Sequence, residues 1–371
     1  MSSEERIDPV FSKALSGLGQ SLLAGLSALE GAFRRLHPPD FGRIRSQLAP
    51  AHVALAEAIK TLSSLEAPDA LGDFRSDLIS AAVLARDALA GLVEPPPAAE
   101  AVTRALLSMH EHARAQALLY PLRHALPPVS AFFAEPFRRN SLGSLEVAEG
   151  VDRDVEVGLF RGGEPTGRGG FDLYVPESWD GVEALPLIVA LHGGSGNGAD
   201  FLWTWLREAR SRRCLLLAPT SSGSTWSLNA PEIDGRVLRQ MVDWMAGKWK
   251  IDQGRVLLTG LSDGATMTLL VGLAEEVPFT HLAPISGVLH PLNFAIGNID
   301  RAAGSKIQLV HGALDWMFPV GLARDAARVL EDAGAEIEYH EISDLSHTYP
   351  REENARLIEW LDPERSASKS S

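Results

Sequence analysis

The sequence predicts two architectures in one chain: an all-α helical bundle or array, followed by an α/β fold in which a mostly parallel sheet is flanked by helices. Three observations carry this. Residues 9 to 126 place apolar side chains at steps of three and four, the period of a helix face. Beyond about residue 150, short apolar runs alternate with helical stretches, as strands and covering helices do. Between the two, Pro127, Pro128, Pro136, Gly143 and Gly150 interrupt any period. A length of 371 residues suits two domains at roughly 100 to 200 residues each.

In chain order, Phe11, Leu15, Leu18, Leu22, Leu26, Leu29, Phe33 and Leu36 form the stripe of a first helix, which Pro38 and Pro39 end. Ile44, Leu48, Leu55, Ile59 and Leu62 mark a second helix. Leu71, Phe74, Leu78 and Leu89 mark a third, which breaks at Pro95, Pro96 and Pro97. A fourth runs from about Ala99 to Leu119. Short connections suggest antiparallel packing with the stripes as core. The expected division is a helical domain over 1–126, a linker over 127–150, an α/β domain over 151–362 and a disordered tail over 363–371. Strands are expected at Phe171–Val175, Leu185–Leu191, Cys214–Ala218, Arg255–Thr259, His281–Ile285, Ile307–Val310 and Glu336–Glu341. Helices are expected at Asp234–Gly247, Ala265–Glu275, Gly321–Ala333 and Arg351–Leu361.

Composition narrows the function classes. Hydrophobic residues at 45% and charged residues at 22% are those of a globular protein. Thirty-four basic against 48 acidic residues leave a net charge of −14, which disfavours attraction to nucleic-acid phosphates or anionic lipid. Cys214 is the single cysteine, so no internal disulfide calls for an oxidising compartment. The N-terminus opens on Glu4, Glu5, Arg6 and Asp8 rather than a basic segment with an apolar run, and the expectation is a cytoplasmic protein without integral membrane association. His110 and His112, two apart, fall on different helix faces and do not make the i, i+4 pair of a helical metal site.

The chemistry concentrates where strands end. The candidate strand Arg255–Thr259 runs into Gly260-Leu261-Ser262-Asp263-Gly264 and then a helix, the setting in which a serine is presented as a nucleophile on a tight turn. Glycine on either side leaves room, because a Cβ there would crowd the adjacent strand and helix. The helix N-terminus behind Ser262 favours developing negative charge. Upstream, Leu191-His192-Gly193-Gly194-Ser195-Gly196-Asn197-Gly198 follows a strand without fitting a phosphate-loop pattern. Its backbone can approach a substrate oxygen, with the N–H of Gly194 and that of Asp263 as an oxyanion hole. His192 reads as structural. Asp315 and His347 each follow a later strand, so that Ser262, Asp315 and His347 run in the order nucleophile, acid, base. Asp234 and Asp344 are competing acids better explained as a helix start and a turn residue. Trp203, Trp205, Trp226 and Trp316 lie near the same edge; Trp203, Trp226 and Trp316 are candidates to line a substrate pocket, and His290 reads as a loop residue.

Residues 171 to 362 resemble an α/β-hydrolase, and within that superfamily the carboxylesterase and phospholipase-like group that includes polyhydroxybutyrate depolymerase-like and feruloyl esterase-like proteins. The resemblance rests on Leu173-Tyr174-Val175-Pro176, Leu191-His192-Gly193-Gly194, Ile251-Asp252, Arg255-Val256, Gly260-Leu261-Ser262-Asp263-Gly264, Asp315 to Pro319 and His347. It implies a Ser262–Asp315–His347 catalytic triad, an oxyanion loop at Gly194 and no metal or organic cofactor. Asp263 departs from the small or neutral residue usual there, and Ala265 from a second glycine. A carboxylate at 263 would oppose oxyanion formation if it pointed inward.

The reading that follows is a serine esterase acting on a small-molecule or lipid-like ester through an acyl-enzyme, with no nucleic-acid partner. The helical segment would then serve oligomerisation or cap the site. A thioesterase or peptidase would use the same three residues. From another class, the chain would be a non-catalytic binding or scaffold protein with a relic hydrolase domain.

Overall fold

The computed structural model describes residues 8–94, 100–146, 155–164 and 167–363. The break at Pro95–Pro97, Val147, Gly150 and the tail beyond Pro363 lie outside these. The chain divides into two compact units, Met1–Phe133 and Ala134–Ser371.

Among the described residues the first unit holds five α-helices: α1 (Pro9–Phe33), α2 (Phe41–Ser63), α3 (Gly72–Val93), α4 (Ala101–Leu119) and the short α5 (Pro127–Phe132). The apolar stripes are its core, with Leu18, Leu22, Leu26, Leu29, Leu48, Leu55, Leu62, Leu78 and Leu89 all buried. α3 and α4 pack against each other and approach closely at Gly91, where a Cβ would stand 3.6 Å from Ser108 Cβ and 3.7 Å from Arg104 O. His112 is buried here, its Nδ1 3.2 Å from Gln116 Nε2 and its ring edge-on to Phe33.

The second unit is built on an eight-stranded sheet: β1 (Gly158–Gly162), β2 (Phe171–Val175), β3 (Leu185–Leu191), β4 (Leu215–Pro219), β5 (Ile251–Leu261), β6 (His281–Ile285), β7 (Lys306–Gly312) and β8 (Glu336–Ile342), in the order β1-β2-β4-β3-β5-β6-β7-β8. β2 is antiparallel to its neighbours and β3 to β8 are mutually parallel. Helices α6 (Gly198–Phe201), α7 (Leu206–Arg212), α8 (Glu232–Ala246), α9 (Asp263–Gly272), α10 (Leu292–Ala295), α11 (Val320–Asp332) and α12 (Glu353–Leu361) complete it. The central strand β3 is buried along its whole length, so its continuous apolar run reflects cover on both faces. Leu187, Val189, Val256, Leu258, Met267, Leu270 and Met245 belong to one core.

The structure adds one strand to those expected and gives the expected linker regular turns. β1, an antiparallel edge strand, carries no apolar alternation long enough to announce it. The expected linker 127–150 is ordered structure through its described part: α5, then 3₁₀ turns at Pro136–Arg138 and Leu142–Leu145. Charge holds that stretch in place. Arg212 grips both Glu135 oxygens at 2.6 and 2.7 Å, and Arg210 donates to Glu146 Oε1 at 2.5 Å. The division between the two compact units falls between Phe133 and Ala134. Among the described residues no helix is long and apolar enough to cross a membrane.

Candidate active site

The parallel strands end together, and the residues singled out by sequence sit on the loops that follow them. β5 delivers Ser262 at the turn into α9 with φ 58° and ψ −117°. That left-handed backbone is unfavourable for a residue with a Cβ, by about 1–3 kcal/mol, and persists because both flanks are fixed. Ser262 N–H donates to Ile285 O (3.0 Å), and its own carbonyl starts α9 by accepting from Thr266 N–H (2.9 Å). The glycines answer to space: a Cβ on Gly260 would stand 2.5 Å from Gly264 C, and one on Gly264 2.5 Å from His192 O.

Loops after β7 and β8 supply the other two residues. Asp315 Oδ1 accepts from the N–H groups of Met317 (2.9 Å) and Phe318 (2.8 Å), which leaves Oδ2 to face His347 Nδ1 at 2.8 Å. His347 Nε2 stands 3.0 Å from Ser262 Oγ. A carboxylate only accepts, so Nδ1 carries the proton and Nε2 is the acceptor aimed at the serine hydroxyl. Leu314 N–H donates to Leu345 O (2.9 Å), tying the two loops together. Phe318 packs edge-on against His347, with 5.2 Å between ring centres. Tyr349, wedged beside Phe201 and Trp205, anchors the far end of the histidine loop by donating to Asn354 Oδ1 (2.7 Å); burial raises its phenol well above the usual range.

The glycine loop after β3 closes the fourth side. Gly193 lies against Ser262, since a Cβ there would be 3.6 Å from Ser262 Cβ. His192 is fully occupied in holding this loop. Its Nε2 accepts from Ser221 N–H (3.0 Å), so Nδ1 is the protonated nitrogen and donates to Gly193 O (2.6 Å). Burial pushes this imidazole down to about 4.

His281 is likewise held down to about 4, by burial and then by Lys306. Both histidines thus titrate lower in the folded chain than at the unfolded value of about 6.5. Between pH 6.5 and 4 the unfolded chain binds protons that the folded one refuses, so stability falls on acidification through that window. Each shift corresponds to about 3 kcal/mol. Urea unfolding at pH 7 and 4.5 should show His281→Gln losing about 2–3 kcal/mol less than wild type on acidification; an equal loss in both proteins would mean that His281 does not carry the effect.

The remaining sequence candidates separate cleanly. Asp234 is buried, which raises its pKa, but Ser222 and Ser227 outweigh this and hold it low. It accepts from Ser222 Oγ–H (2.7 Å) and Ser227 N–H (2.7 Å), a brace for the loop after β4. His290 accepts at Nδ1 from Leu292 N–H (3.2 Å). Trp203 and Trp226 are buried, and Trp226 donates its indole N–H to His192 O (2.7 Å), which supports the glycine loop. Trp316 is exposed, as are its loop neighbours Leu314 and Met317. Sequence reasoning missed His311, which is buried, donates from Nε2 to Phe318 O (2.8 Å) and lies 3.4 Å from Asp315 Oδ2. It also missed Thr225, whose hydroxyl donates to Asp263 Oδ2 at 2.6 Å. Only a fold could pair residues 38 positions apart. Among the described residues no group of three or more His, Cys, Asp or Glu is disposed to hold a metal ion.

Comparison with known proteins agrees with this frame. The phospholipase/carboxylesterase family matches residues 234–363, the segment that contains Ser262, Asp315 and His347. An oxidized polyvinyl alcohol hydrolase of Sphingopyxis sp. is 37% identical over 93 residues, covering 25% of this chain and 24% of that protein. A poly(3-hydroxyalkanoate) depolymerase C of Paucimonas lemoignei is 29% identical over 114 residues, covering 28% of each. The chain thus spans about a quarter of the length of these relatives. The solved structure of a thermostable esterase aligns with 55% of this chain and 61% of its own, at 24% identity and a TM-score of 0.45. Sheet order, the turn that bears Ser262 and the match over residues 234–363 give the half of the chain that carries this site a fold that resembles the α/β-hydrolases and a sequence similar to the phospholipase/carboxylesterase family.

Proposed function

We propose that the protein hydrolyses carboxylic esters through an acyl-enzyme on Ser262. The observation that carries the reading is the single imidazole, His347, that reaches Ser262 Oγ at 3.0 Å and Asp315 Oδ2 at 2.8 Å through its two nitrogens. His347 takes the Ser262 proton as Oγ attacks the ester carbonyl, then gives it to the leaving alcohol. Asp315 keeps the proton on Nδ1 and stabilises the imidazolium. The oxyanion forms opposite the N–H groups of Gly194 and Asp263, with the N-terminus of α9 adding to the field. Water, deprotonated by His347, releases the acid. No step calls for a metal or an organic cofactor.

The loop that buries Asp315 turns Leu314, Trp316 and Met317 outward beside it. An apolar rim next to the serine suits a neutral ester with an apolar acyl or alcohol part better than a highly charged one. Two of the matched relatives are named for polymer substrates.

The test is covalent. A fluorophosphonate should add once to the wild-type chain, with the adduct on the peptide that contains Ser262. A folded protein that takes up no label would overturn the reading and favour a binding role for the domain.

A further inference from the structure

We propose that Asp263 is a positioning residue which, through Thr225, braces the two halves of the oxyanion hole against each other. The inference rests on the serine-hydrolase reading and deepens it, because it concerns the two N–H groups assigned there.

Those donors belong to separate segments, Gly194 after β3 and Asp263 after β5, and the first sits in a stretch, Gly193-Gly194-Ser195-Gly196, with almost no side chains of its own to fix it. Glycine loses the most freedom on folding, so the loop must be held from outside. The segment after β4 does this at several points. Ser221 N–H and the Trp226 indole reach His192, and Ser195 N–H donates to Ser224 O at 3.1 Å. Arg168 holds Gly196 O at 2.8 Å. What these contacts leave open is the link to the segment that bears the nucleophile.

The Asp263 side chain closes it. Its Oδ2 accepts from Thr225 Oγ–H at 2.6 Å, a short bond to a charged acceptor and therefore a strong one. The same oxygen rests on Gly194: a Cβ there would stand 2.9 Å from it and 3.9 Å from Thr225 Oγ1. The carboxylate thus spans from the first residue of α9 to the glycine loop and to the loop after β4. This explains a carboxylate in a place where charge alone is unfavourable. Negative charge near a developing oxyanion raises the barrier, while the brace holds both donors in register.

The two effects separate by substitution. Asp263→Asn keeps an oxygen for Thr225 and removes the charge. Asp263→Ala removes both, and Thr225→Val removes the donor while keeping the charge. Kinetics on a neutral p-nitrophenyl ester should show kcat falling about 10–100-fold in Asp263→Ala and Thr225→Val with KM changed less than about threefold, a part of the loss that follows deletion of an oxyanion donor. Asp263→Asn should lose less of kcat than Asp263→Ala, because it keeps an acceptor for Thr225. Fluorophosphonate labelling rates should fall in parallel, since that reaction also develops charge on oxygen, and thermal midpoints measured alongside should not rank the variants in the same order. Alanine or valine variants that label and turn over at the wild-type rate would overturn the brace. Asp263→Ala as fast as Asp263→Asn would also overturn it, leaving the carboxylate as an electrostatic burden alone. A wild type that does not label would instead overturn the serine-hydrolase reading, and the brace with it.

Discussion

Replacing Ser262 by alanine is expected to lower kcat for ester hydrolysis about 10⁴–10⁶-fold, with His347→Ala falling in the same range and Asp315→Asn losing about 10⁴-fold. The three losses should not add. Oγ is a weak nucleophile until Nε2, 3.0 Å away, accepts its proton, and Nε2 is available only while Asp315 Oδ2, at 2.8 Å, keeps the proton on Nδ1. A double variant lacking both Ser262 and His347 should therefore be scarcely slower than either single one. Asp315→Asn carries a specific error: an amide that turns its NH₂ towards Nδ1 forces the proton onto Nε2, where the imidazole can no longer serve as base. Asp315 Oδ1 is already satisfied by Met317 N–H and Phe318 N–H, so the amide oxygen is held on that side and the NH₂ is directed at the histidine. Steady-state kinetics on an activated ester check all four proteins. A Ser262→Ala variant that keeps more than about a tenth of the activity would sink the acyl-enzyme, given the losses such deletions cause.

The parts of this molecule that were legible in its sequence are those whose cause is local. β3 reads as a strand because both its faces are covered, and α1 because one of its faces is. Ser262, Asp315 and His347 were recognisable because each follows a strand and the strands are parallel, which brings the three loops to one edge. β1 was illegible since an edge strand half exposed to solvent needs no apolar pattern. Short helices such as α6 and α10 have too few turns for a period to emerge. The stretch 134–146 looked like a linker because its order comes from Arg210 and Arg212, more than 60 positions away, and ion pairs leave no local signature. The same holds at the site. Nothing in the order of residues marks the Trp226 indole as the partner of the His192 carbonyl, or Thr225 as the partner of Asp263.

The largest structural effect should come from a single methyl group at Gly264. Built there, a Cβ would stand 2.5 Å from His192 O and 2.8 Å from Leu191 C, both backbone atoms at the end of a strand buried on both faces. Backbone in that position cannot rotate aside as a flexible side chain can, so α9 must move bodily or β3 must bend. We expect Gly264→Ala to lose about 3 kcal/mol or more of stability, the upper range for overpacking a filled core. Activity should fall further than stability explains. The displaced helix carries Asp263 and follows Ser262 directly, while the atoms it collides with lead into the loop that holds Gly194. Gly260→Ala should behave alike, because its Cβ would meet Gly264 itself at 2.5 Å and Leu191 Cβ at 2.9 Å. Gly321, in the first turn of α11 with open space around its Cβ position, is the matched control. Alanine there removes unfolded-state freedom and favours the helix, so stability should stay level or rise by up to about 1 kcal/mol. Urea unfolding of the three variants measures this directly. Gly264→Ala within 1 kcal/mol of wild type, with kcat unchanged, would mean that α9 is not seated against the end of β3 and that the fixed distance between Ser262 and the glycine loop has another origin.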